Sequence, residues 1–239
     1  MSAGQPPSAA LTPEACPERL HAPRAAAIAG ILFAILLIAG LGLLRQAVPA
    51  DPLEAGAWLQ TRTGQVKLAL SLVPFAGIAF LWFVGVLRDR LGDREDRFLA
   101  TVFLGSAILF LAMLFVSAAV AGGLIIAHAA DPNRLLGSTS FALGRAITYE
   151  IMNVYAIKMA GVFMIVTSTL ALRTGFLARW IAFVGFLLAL LLLFSGRHIE
   201  GVLIVFPAWV LLISVYILID NLKAPAAGGH QPEETGHVE

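Results

Sequence analysis

His128, Asp131, His198 and Glu200 are the residues of this sequence whose types could hold a metal, since imidazole and carboxylate both suit zinc. They come as H-x-x-D at 128–131 and H-x-E at 198–200, well separated in the chain. Neither spacing is a metal signature, and histidines at a membrane surface are ordinarily just solvated. A second set lies in "ITYEIMNVYAIKMAGVFMIV", residues 147–166, which places Glu150, Asn153 and Lys158 in a stretch otherwise fit for a bilayer. An ionisable side chain inside a membrane helix marks a site by default, because a lysine at the centre costs about 2.5–3.5 kcal/mol to insert. In an unbroken α-helix Glu150, Val154 and Lys158 share one face. Glu150 and Lys158 would then be ~12 Å apart along the axis, too far to pair. Two expectations follow for Lys158. Either its stem carries the ammonium back toward the helix N-terminus and outer water, which is the simpler reading, or it meets a carboxylate from another helix, with Glu200 and Asp131 the candidates.

Those residues need a scaffold, and composition names it. The chain is 59% hydrophobic and 13% charged, about half the charge of a soluble domain. The charges cluster between long uncharged runs, and runs of 18 or more apolar residues read as membrane spans. An all-α fold of six transmembrane helices is expected, at about 25–44, 68–87, 98–121, 151–172, 180–195 and 201–219. The uncharged run from Phe98 extends to Ala127, more than a bilayer needs, and Gly122-Gly123 is the natural place for it to loosen. Residues 128–147 read as a loop with at most a short interfacial helix. The tails, 1–24 and 223–239, are rich in Pro, Ala, Gly and Glu and are expected to be disordered. The first apolar run is too long for a cleavable signal core and reads as a retained span.

Basic residues set the orientation. With the N-terminus inside, the inner segments hold Arg19, Arg24, Arg88, Arg90, Arg94, Arg97, Arg173, Arg179 and Lys223; the outer ones hold Arg45, Arg62, Lys67, Arg134, Arg145 and Arg197. The inner set is larger and denser, and Trp82, Trp180 and Tyr216 are placed as interfacial aromatics beside it. Both termini are therefore expected inside a plasma membrane, and the high Ala, Gly and Arg usage suggests a bacterial one.

The inner segment "GVLRDRLGDR", 85–94, resembles the loop signature of the major facilitator superfamily. Gly85, Leu87, Asp89, Arg90, Gly92 and Arg94 match it in register, and the resemblance implies a solute-carrier role in which Asp89 and Arg90 matter. The departures are a six-span chain where that family has twelve, and Asp93, Glu95 and Asp96 interrupting the basic ending. It covers ten residues of 239, and the chain is not assigned to the family. As a plain loop, residues 88–97 balance four arginines against four acids.

Other chemistry is sparse. Cys16 is the single cysteine, so neither a disulfide framework nor a Cys-based metal site exists within one chain. There is no Gly-rich phosphate loop, nucleophile elbow or intramembrane histidine pair for haem, so no metal or cofactor is assigned. A net charge of +1 leaves no footprint for nucleic acid. The expected partner is the lipid bilayer. A second copy or another membrane protein could pack against the small-residue faces Ala26/Gly30/Ala34 and Ala156/Ala160. Three classes of function remain open. A non-catalytic membrane component fits best. A small transporter or channel would have a cavity near Lys158, Pro74 and Pro207, the two prolines kinking their helices. An intramembrane enzyme would use the outer histidines and carboxylates.

Overall fold

A computed structural model of the chain describes residues 22–48, 56, 58–91, 97–195 and 201–223. All regular structure among them is helical. The chain runs α1 (Ala22–Ala47), α2 (Trp58–Thr61), α3 (Thr63–Leu91), α4 (Arg97–Ala130), α5 (Pro132–Leu135), α6 (Thr139–Glu150), a π-helical segment (Ile151–Ala156), α7 (Ile157–Thr174), α8 (Arg179–Phe194) and α9 (Val202–Lys223). The expected tails fall almost wholly outside the described residues.

Five stretches are long and apolar enough to cross a bilayer: Ala25–Ala47, Thr63–Arg88, Arg97–Ala130, Thr139–Thr174 and Val202–Leu222. The remaining apolar helix, α8, has 16 residues and measures ~24 Å against a hydrocarbon core of ~30 Å. Short connections make successive long helices antiparallel. One end of the bundle therefore carries α2 and α5 (the α5 end), and the other carries Arg88, Arg97, Arg173 and Arg179 (the arginine end).

Two boundaries differ from those expected. Residues 128–147 are mainly helix rather than loop: α4 continues through Gly122-Gly123 to Ala130, and the chain re-enters a helix at Thr139. Two glycines cost ~1 kcal/mol each relative to alanine, which packing offsets here, Leu124 lying against Gly144 of α6. The re-entry is set locally. Pro132 opens α5 behind the Asp131 N-cap, Gly137 takes φ +76°, and the Ser138 hydroxyl accepts the Phe141 N–H at 3.2 Å to start α6. The expected loop at 85–94 is likewise helical through Leu91, because Val84 and Leu87 still face the core; residues 92–96 lie outside the described set.

The helices sort into two groups of three. In the first, α1 packs mainly on α3 and α9; in the second, α7 packs mainly on α8 and α4. The groups meet along a seam of phenylalanines, with Phe33, Phe80 and Phe206 from the first and Phe103, Phe110 and Phe163 from the second. Phe80 is central, its ring 4.7 Å from Phe33, 5.4 Å from Phe110, 5.5 Å from Phe163 and 5.8 Å from Phe206. Most of these pairs are edge-to-face, the arrangement that ring quadrupoles favour. A smaller core of Trp58, Leu59, Val66, Ile125 and Phe141 closes the α5 end. Gly56, at φ +86°, lies over it, where a Cβ would come within 2.5 Å of the Phe141 ring.

Candidate functional site: polar groups within the spans

Lys158 lies in the first turn of α7, beside the C-terminal end of α8. Its ammonium donates to the carbonyls of Leu192 and Ser195, each at 3.2 Å, and to that of Leu193. Among the described residues its partners are these carbonyls, so it caps a helix; Glu200, one of the two expected carboxylate partners, lies outside the described residues. The reason lies in the length of α8. The last four carbonyls of a helix lack intrahelical donors, and in hydrocarbon such orphans are costly. The Ser195 N–H serves Leu191 at 2.8 Å and its hydroxyl serves Leu192 at 3.0 Å. Lys158 adds a second donor to Leu192 and serves Leu193 and the C-cap Ser195. An ammonium has three donors and no acceptor, so three carbonyls occupy all of them. Its charge also lies at the negative end of the helix dipole. A short helix whose last carbonyls lack intrahelical donors and a lysine beside that end each remove the other's cost.

The π segment sets where Lys158 points. A π turn closes i→i+5 and takes in one extra residue, so everything after it rotates by ~100° relative to an unbroken helix. The alignment of Glu150, Val154 and Lys158 expected from α spacing is thereby lost. Side chains serve carbonyls around this irregular turn: Asn153 Nδ2 donates to Tyr149 O at 3.0 Å, and Ser117 Oγ reaches from α4 to Thr148 O at 3.2 Å. Thr148 Oγ1 bonds Gly144 O at 2.9 Å. Asn153 is thus engaged with its own backbone. Glu150, half-buried, ends α6.

The outer-face set is not brought together among the described residues. His128 is in the last turn of α4, 8% exposed, with Nδ1 unpartnered. Asp131 is committed to the α5 N-cap, accepting the Arg134 N–H at 3.1 Å. His198 and Glu200 lie outside the described residues. No group of three His, Cys, Asp or Glu side chains gathers within those described. Asp89 and Arg90 belong to the last turn of α3, and their side chains are not described.

Pro74 and Pro207 both lie inside continuous helices, Pro74 facing outward and Pro207 inward. Near Pro207 is a crevice of about 10 Å³ between the two groups of helices, roughly the room of one water. Leu37, Val202 and Phe206 line one side, and Met152, Ala160 and Leu192 the other. Its lining contains neither proline nor Lys158, and every side chain in it is apolar. The small-residue faces are covered within the chain: Ala26, Ala34, Ala156 and Ala160 are buried, and Gly30 meets Ser214 and Phe83.

One polar convergence had no counterpart in the sequence reading. Ser168 of α7 and Trp209 of α9 meet at Gly185 of α8, their Oγ and Nε1 both buried without a partner. A tryptophan within the last span, away from the interfacial belt, was the available signal, because a buried indole N–H ordinarily finds an acceptor. Compared with known protein families, curated proteins and solved structures, the chain matches none.

Proposed function

We propose that this chain is a non-catalytic component of a bacterial plasma membrane, crossing it six times with both termini inside and α8 as the short fifth crossing. One observation carries the reading: the polar side chains best placed for a substrate inside the spans are turned to the backbone. Lys158 has its donors on carbonyls of α8 and of its C-cap Ser195, and Asn153 bonds within its own helix. The phenylalanine seam further supports it, since packed rings rather than a polar path occupy the bundle axis. A transporter cavity at Lys158 would need a free ammonium. The orientation rests on the arginines at one end, with Trp82 and Trp180 exposed beside them. With both small-residue faces used internally, a second copy or membrane partner would dock on the lipid-facing flanks.

The test is reconstitution. Proteoliposomes should be no leakier to ions and small solutes than empty vesicles; a saturable flux abolished by Asp89→Asn would overturn the reading in favour of transport. Reporter fusions at residues 92, 176 and 230 should report inside, and those at 55 and 140 outside; an inside signal at 55 would overturn the topology.

A further inference from the structure

The outward-facing flanks of the bundle differ in apolar height. On α3 the uncharged stretch between Lys67 and Arg88, residues 68–87, measures ~30 Å. That matches a hydrocarbon core of ~30 Å. Phe75 faces outward near its middle, 62% exposed. On α8 the apolar stretch between Arg179 and Ser195, residues 180–194, measures only ~22 Å. Its outward row is Trp180, Phe183, Leu187, Leu190 and Phe194, all exposed. Such a row suits acyl chains, yet it falls ~8 Å short of the core they fill.

Both ends of that row are held. At the arginine end Arg179 and Trp180 are exposed side by side, a pairing that anchors a helix at the membrane interface. At the other end the Lys158 ammonium lies on the carbonyls of Leu192, Leu193 and Ser195. A span that is too short thins the bilayer, snorkels its flanking residues or associates with another chain. Snorkelling is closed to Lys158, because an ammonium has three donors and these three carbonyls take them. Its charge stays level with the end of α8, so headgroups and water must come down to it. We propose that the α8 flank holds the bilayer locally thin and so collects short-chain phospholipid, which the α3 flank does not. This rests on α8 crossing the membrane as the fifth span.

The test reads lipid preference at one label per flank. In a Cys16→Ser background, Leu187→Cys on α8 and Phe75→Cys on α3 each carry a bimane. The protein is placed in vesicles that mix phosphatidylcholines with fourteen-carbon and twenty-two-carbon monounsaturated chains, one species brominated at a time. Quenching then gives the relative affinity of the two chain lengths at each flank. At Leu187 the short chain should be preferred by about three- to tenfold, the scale that the penalty per ångström of mismatch implies. At Phe75, whose flank lies between the two lipids in height, neither should be preferred. Equal preferences at the two labels would overturn the proposal and leave six crossings standing. A Leu187 label that no brominated lipid quenches would overturn it in one of two ways. With apolar emission, a second copy covers α8; with aqueous emission, α8 does not cross, and the topology falls as well.

Discussion

The two groups of helices solve the same burial problem with different materials. In the first, α1, α3 and α9 have 26, 29 and 22 residues, each long enough to cross a bilayer. None needs help at its ends within the membrane, and the group has no charge at mid-span. In the second, α4 has 34 residues, the continuous helix from Thr139 to Thr174 has 36, and α8 has 16. A long helix beside a short one leaves the short one's last carbonyls against its neighbour's flank. That is where Lys158 is found, while Asn153 and the Ser117–Thr148 bond serve the irregular turn of the long helix. Polar side chains within a span can thus record unequal helix lengths as readily as a binding site.

Four substitutions sharpen this contrast. The largest effect is expected at the seam itself. Phe80→Ala removes the ring at the centre of the seam and should cost about 3–5 kcal/mol, the usual range for a buried phenylalanine. Phe103→Ala, whose one ring partner among the described residues is Phe163, should cost less; equal melting temperatures would mean that the seam is not the centre of stability. Next is Lys158→Met. It strips donors from three carbonyls and should destabilise by about 1.5–3 kcal/mol, the worth of a hydrogen bond to a charged group. Hydrogen exchange should quicken at the C-terminal end of α8 and not in α9. Because the partners are carbonyls and do not titrate, the loss should be equal at neutral and mildly acidic pH; recovery in acid would instead reveal a carboxylate partner. Smallest is Ser117→Ala, which removes one neutral bond to the irregular turn and should cost about 1 kcal/mol, read as a slightly lower melting temperature.

The long apolar runs were legible because hydrocarbon tolerates so few charges. The start of the fourth long helix was not. Arg145, Thr148 and Glu150 end an apolar run without ending a helix, since hydropathy reports the solvent and the Ser138 cap reports the backbone. The π turn left no trace either: a slip of one residue does not alter composition, yet it undid the expected face shared by Glu150 and Lys158. Lys158 could be recognised as needing a partner, but its partners are backbone carbonyls, which every residue has and no sequence pattern marks. Trp209 was readable in principle, and only its level within the last span set it apart from Trp82 and Trp180.

The cap on α8 also bears on how the chain is made. Lys158 precedes α8 in the sequence, so during synthesis the donor enters the membrane before the carbonyls it will serve. When the end of α8 arrives, its partner is already on the adjacent helix, and the exposed carbonyls need wait for nothing made later. Reversing that order, as a circular permutant beginning at α8 would, leaves a short helix end without donors until α7 follows. Such a chain should insert poorly even though every contact of the finished bundle is still available to it.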